Sequence, residues 1–242
     1  MPLPKIATPT YELELPSTGK TIKYRPFLVK EEKILILALE SQNVKEITLA
    51  IKSVLKDCIQ TRGIKVEDLP SFDIEYIFLN VRGKSVGEAI DLVVTCSDDG
   101  TTEVPVKLFV DEIKVKKDPD HTTDIKLDDD LMIRMKYPSL DQFIKNNFDF
   151  TSDESVSTIE KSFDIISSCI ESIFTSDEAW AAKDCTKKEL IEFIEGMNSS
   201  QFKQIERFFE TMPKLSHTFT VKNPNTKEDN TVTLEGLTSF FA

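Results

Sequence analysis

The stretch AIDLVVTCSDDGTTEVPVKL, residues 89–108, decides the fold class. Ala89–Thr95 and Thr102–Leu108 are rich in β-branched residues, and apolar and polar side chains alternate along much of each. Period-two patterning of this kind sets one face on a core and the other in water. Between the two runs, Ser97-Asp98-Asp99-Gly100-Thr101 is a cluster of turn formers. A β-hairpin is predicted here, inside a chain whose apolar positions elsewhere mostly recur every three or four residues. The expected class is therefore α+β.

Upstream, residues 1–9 carry three prolines and read as an extended arm. Tyr11–Leu15 and Thr21–Arg25 alternate around Pro16-Ser17-Thr18-Gly19-Lys20, which predicts an amino-terminal hairpin ended by Pro26. Residues 28–41 read as a helix. Asn43, with Glu46 three residues on, reads as an N-cap. Ile47, Ala50, Ile51, Val54, Leu55 and Cys58 then make one helix face, with Gly63 expected to close it. Pro70-Ser71 opens a third helix bearing Ile74, Ile77, Phe78 and Val81.

Downstream, residues 117–124 (KDPDHTTD) read as a polar loop and Asp130–Lys136 as a third strand. The next block reads as helical. Thr151 and Glu154 form a capping box, followed by a stripe of Val156, Ile159, Phe163, Ile166, Ile170 and Ile173. Thr186 and Glu189 form a second box, before Leu190, Ile191, Phe193 and Ile194. Ser199 begins a helix carrying Phe202, Ile205, Phe209 and Met212, which Pro213 ends. Thr218–Val221 and Thr231–Leu234 flank the polar turn NPNTKEDN and predict a carboxy-terminal hairpin. Four segments follow: 1–87, hairpin and helices; 88–138, a small central antiparallel region; 139–214, a helical block; and 215–242, a hairpin. The two hairpin regions have the same strand–turn–strand shape and can pack together as one compact unit.

The formal net charge is −12 over 242 residues, which repels nucleic-acid phosphates and anionic lipid alike. Neither nucleic acid nor a membrane is an expected partner. The densest apolar run, Ile34–Leu39, is far too short for a bilayer span. Seven glycines leave little room for a glycine-rich phosphate loop. The amino-terminal sequence has no apolar signal region, so the four scattered cysteines are expected to be reduced, in a cytosol.

Catalytic chemistry is scarce. The two histidines, His121 and His217, lie near no Gly-x-Ser-x-Gly elbow, and His121 reads as a solvated loop side chain. Asp128-Asp129-Asp130 lacks calcium-loop spacing and reads as a solvated turn. Cys96 stands at a hairpin tip where a zinc knuckle would begin. Asp98-Asp99-Gly100 fill the partner positions, and the second hairpin carries Asn223 and Asn225. Cys58 and Cys169 read as core residues, and Cys185 as incidental. No catalytic residue, cofactor or metal is expected. Tyr24, Arg25 and Phe27 after the first hairpin, and Leu237, Phe240 and Phe241 at the terminus, are the candidates for protein contact. The same residues serve equally well as caps on the core.

Three segments together, LPSTGKTIKYRPFLVKEEKILILA (15–38), MKYPSL (135–140) and TVTLEGLTSFFA (231–242), give the chain a family likeness. It resembles the baseplate hub and hub-assembly proteins of T-even-type contractile-tailed bacteriophages. The resemblance implies a non-enzymatic tail protein that binds other hub proteins or the tape-measure protein in the host cytoplasm. On that resemblance the expected role is either a baseplate hub component or a transient chaperone absent from the virion. Some members carry cysteine pairs in both hairpin turns, like a split zinc ribbon. Here only Cys96 is kept, so the hairpins are expected to hold together by strand pairing and hydrophobic contacts alone. A carboxylate-based cell-wall hydrolase is the alternative from another class, with no recognisable Glu/Asp pair behind it.

Overall fold

The computed structural model describes residues 6–140, 142, 158–236 and 239. The strands are β1 (Tyr11–Glu14), β2 (Thr21–Tyr24), β3 (Ala89–Thr95), β4 (Glu103–Phe109), β5 (Lys114–Lys116), β6 (Asp124–Lys126), β7 (Met132–Met135), β8 (Ile170–Phe174), β9 (Ala179–Ala181), β10 (Lys214–Lys222) and β11 (Asp229–Glu235). The helices are α1 (Val29–Glu40), α2 (Val44–Cys58), α3 (Ser71–Val86), α4 (Thr158–Cys169), α5 (Lys187–Glu195) and α6 (Ser199–Glu210). The fold is α+β, with hairpins near both ends of the sequence. The chain divides into two compact units, one of residues 1–116 and 214–242, the other of residues 117–213.

In the first unit, β1 and β2 pair antiparallel from Tyr11↔Tyr24 to Glu14↔Thr21. Their turn is pinned to α3, because the Ser17 amide donates to the buried Asp73 carboxylate at 3.0 Å and the Ser17 hydroxyl donates to its other oxygen. Asn43 caps α2 as expected, its side chain accepting from the Lys45 and Glu46 amides at 3.0 and 3.3 Å. Ala50, Val54, Leu55 and Cys58 are buried along the predicted stripe. The helix stops at Cys58, before Gly63. Ile59 turns extended and bridges Tyr24, and the Gln60 amide donates to the Lys23 carbonyl at 2.8 Å. Gly63 sits in the turn beyond, at φ +82°. The third helix buries Ile74, Ile77, Phe78, Leu79 and Val81. At Gly83 it passes so near β4's exit that a Cβ would stand 3.2 Å from Val110 Cγ2.

β3 and β4 form the predicted hairpin, in register from Ala89↔Phe109 to Thr95↔Glu103. The carboxy-terminal hairpin β10–β11 adds β5 along the other edge of β10. Leu79, Ile90, Leu92, Leu108, Val110, Ile113 and Leu215 pack as one cluster, and Val94, Cys96 and Val221 continue it toward the turns. Burial of each such side chain contributes about 1.5–3 kcal/mol.

The expectation that strand pairing and hydrophobic contacts alone hold the hairpins together is overturned, because polar contacts also join the two tips. Each turn closes alike. The Gly100 amide donates to the Cys96 carbonyl at 2.9 Å, and the Lys227 amide to the Asn223 carbonyl at 3.0 Å. Gly100 and Lys227 are both left-handed, at φ +66° and +68°. Asn223, fully buried, donates from its amide to Asp98 at 2.9 Å and to Asp99 at 3.0 Å. The Thr226 hydroxyl also donates to Asp98. Asn230 accepts from the Ser97 hydroxyl and the Asp98 amide, each at 2.9 Å. These bonds hold both carboxylates below their ordinary range: Asp98 chiefly through Thr226 and Asn223, Asp99 chiefly through the Thr102 hydroxyl.

In the second unit the sheet order is β6-β7-β8-β9, antiparallel throughout. The strand expected at 130–136 thus pairs with β6 and β8. Ile170 and Ile173, expected on a helical stripe, lie on β8, because α4 ends at Cys169 and the chain pairs at once with β7. Thr186 and Glu189 form the predicted capping box. Asn198 with Gln201 forms another, one residue before the expected start of α6. The predicted box at Thr151 and Glu154 lies outside the described residues. The core gathers Ile133, Met135, Cys169, Ile170, Ile194, Ile205 and Phe208.

His121 departs from its expected solvated state and is 7% exposed. Its Nδ1 is 2.9 Å from the Thr211 hydroxyl and its Nε2 2.9 Å from the Tyr137 hydroxyl. The ring packs against Tyr137 and Phe208 at 5.6 and 5.3 Å. Burial, aided by Lys117, lowers its pKa and keeps it neutral.

Candidate interaction surface

A helix on the outside of a protein ordinarily presents polar residues to water. The first helix, VKEEKILILALE, presents a row of large apolar residues there as well. Its inner side carries Glu31 and Ala38, at 1% and 8% exposure. On the water side stand Val29, Ile34, Ile36, Leu37 and Leu39, at 80%, 41%, 49%, 56% and 52% exposure. Leu28 just before the helix and Leu49 on α2 are exposed as well. At 100° per residue, Val29, Lys33, Ile36, Leu37 and Glu40 fall on one arc, with Leu39 and Ile34 flanking it. Single exposed apolar residues are ordinary; seven gathered on one helix and its immediate neighbours make this the candidate contact surface.

The helix is anchored by a buried carboxylate. Glu31 accepts from the Leu28 amide at 2.6 Å, closing the first turn, and from Arg25 Nη2 at 3.0 Å. Lys30 stands 3.0 Å from the same carboxylate. Burial alone would raise the Glu31 pKa. Arg25, the Leu28 amide and Lys30 outweigh it and bring it down to about 2. Arg25 also donates to the Pro26 carbonyl at 2.9 Å, so one guanidinium ties the end of β2 to the start of α1.

Of the residues singled out from sequence, Tyr24 is 2% exposed, and burial pushes its phenol up to about 12. Its ring lies 5.8 Å from that of Tyr11. Arg25 faces Glu31. Phe27 is half-buried, its amide donating to the Ser85 hydroxyl at 2.9 Å. Arg25 is thus tied to the start of α1 through Glu31, whereas Tyr24 bridges Ile59 and Phe27 is bonded to Ser85 of α3. Leu237, Phe240 and Phe241 lie outside the described residues. The exposed residues of α1 were not singled out, although Ile34–Leu39 is apolar at every position, a pattern too long for one buried face.

Elsewhere several titratable groups are engaged structurally. In the second unit a cleft of about 430 Å³ is lined by Asp120, Asp124, Lys126 and Arg207. Its carboxylates are ion-paired, Asp120 with Arg207 at 3.3 Å and Asp124 with Arg134 at 2.6 Å. Asp128 accepts from the Asp130 and Leu131 amides and forms an exposed turn. Among the described residues no group of three or more His, Cys, Asp or Glu could hold a metal ion. No helix there is long and apolar enough to cross a membrane. All four cysteines are free thiols.

The chain is 25% identical over 236 residues to baseplate hub assembly protein gp26 of Enterobacteria phage T4, covering 96% of this chain and 97% of that protein. No solved structure matches it. The family described as T4 bacteriophage base plate protein matches residues 8–242. A match over nearly the whole chain shows that the protein belongs to this T4-type phage base plate family.

Proposed function

We propose that this protein is a non-enzymatic baseplate hub-assembly factor that docks on another tail protein, a hub subunit or the tape-measure protein, through the outer face of α1. The observation that carries this reading is the row of exposed Val29, Ile34, Ile36, Leu37 and Leu39 on one anchored helix. Covering each such side chain contributes up to about 1.5–3 kcal/mol, so a few of them suffice for a specific contact. Arg25 and Glu31 act as positioning residues that set the angle of the helix. Membership of the base plate family and likeness to a hub assembly protein support assembly work in the host cytoplasm.

The test is co-expression with each of the other hub proteins and the tape-measure protein, followed by size-exclusion chromatography. The wild-type chain is expected to co-elute with one of them. The double variant Ile36→Asp/Leu37→Asp is expected to lose that partner by at least tenfold while keeping its helical circular dichroism. Retained co-elution of the double variant would refute α1 as the docking face.

A further inference from the structure

We infer that, before a hub partner arrives, the outer face of α1 is covered by α1 of a second copy of this chain, in an antiparallel twofold dimer; the inference rests on the docking reading above. The outward arc of the helix reads Val29, Lys33, Ile36, Leu37, Glu40. A twofold axis between Ile36 and Leu37 brings Ile36 of each copy against Leu37 of the other. The same axis sets Lys33 of each copy beside Glu40 of the other. Lys33 and Glu40 are both exposed, and neither is ion-paired among the described residues. The pattern is thus complementary to itself, as an isologous contact requires.

The helix dipole gives a second reason. Glu40 lies in the last turn of α1, where the carbonyl end disfavours a carboxylate, and that turn holds no basic residue. An antiparallel copy supplies Lys33 there, twice per dimer. A helix of 12 residues is about 18 Å long, so the contact is small. Interfaces of that size are weak and exchange readily, which leaves the face available to a hub partner.

Sedimentation equilibrium of the full chain across about 1–200 µM tests the inference. The wild-type mass is expected to rise from 27.5 kDa toward twice that value. Lys33→Glu alone, or Glu40→Lys alone, sets like charges together at both ends of the contact, and is expected to weaken the dimer about tenfold. Mixing the two variants restores opposite charges at both ends, and the mixture is expected to return to within about threefold of wild type. Misfolding cannot produce that rescue. Ile36→Asp/Leu37→Asp is expected to stay monomeric throughout. A wild type that remains monomeric, a mixture no better than its components, or a dimer that survives Ile36→Asp/Leu37→Asp would each overturn the inference. The hub co-elution assay is read separately. If Ile36→Asp/Leu37→Asp loses the hub partner while the wild type is monomeric, the dimer is refuted and the docking reading stands.

Discussion

Replacing Glu31 by Gln keeps the shape of the side chain and removes its charge, with a cost that depends on pH in a calculable way. Glu31 is 1% exposed, and its pKa stands at about 2 against an ordinary 4.5. At about 1.36 kcal/mol for each unit of pKa, the gap corresponds to roughly 3.4 kcal/mol of stability. Arg25 keeps 14% of its side chain in water, and screening through it lowers the expected figure to about 2–3 kcal/mol. As pH falls, the unfolded chain takes up the proton first, because its carboxyl has the higher pKa. The contribution is therefore complete above pH 4.5 and disappears as pH falls toward 2. Urea unfolding followed by circular dichroism at pH 7, 5, 4 and 2.5 measures it. Glu31→Gln is expected to be less stable than wild type by about 2–3 kcal/mol at neutral pH, with the difference shrinking below about 1 kcal/mol near pH 2.5. A gap that stays constant with pH, or no gap at neutral pH, would show that the Arg25–Glu31 pair does not anchor α1.

Two further outcomes follow from the buried polar groups. Asn223→Ala removes the amide that bridges Asp98 and Asp99, and is expected to cost about 1–3 kcal/mol in urea unfolding, with faster amide exchange at both hairpin turns. His121 is held neutral by burial, whereas in the unfolded chain it titrates near 6.5, so its neutral state costs stability as pH falls below that value. His121→Gln is expected to lower stability by about 1–3 kcal/mol at pH 7.5 and to flatten the loss between pH 6.5 and 5.5; a melting curve equally steep in the variant would assign that loss to another group.

What could be read from the sequence was whatever neighbouring residues decide. The Asn43 cap and the Thr186–Glu189 box act within a single turn, and both stand where they were expected. The hairpin at 89–108 is decided by its own alternation and its turn. Ile170–Phe174 was misread because its apolar spacing also fits a helix, and only pairing with β7 and β9 settles it as a strand. His121 was misread because the groups that bury it, Tyr137, Phe208 and Thr211, lie 16 to 90 residues away. The α1 surface was half-legible. Its apolar run was noticed but weighed only against a bilayer, and only the position of Glu31 shows which side faces inward.

The chain leaves the first unit at Lys116 and re-enters it at Lys214, and these two residues are directly paired across β5 and β10. Everything from residue 117 to 213 is thus spliced into what could have been one tight reverse turn. Cutting out the cassette and joining its flanks through about two to four turn-forming residues would leave every strand of that sheet its neighbour. During synthesis β10 and β11 emerge only after the cassette, so β5 must wait, its edge unpaired, for residues 117–213 to be made.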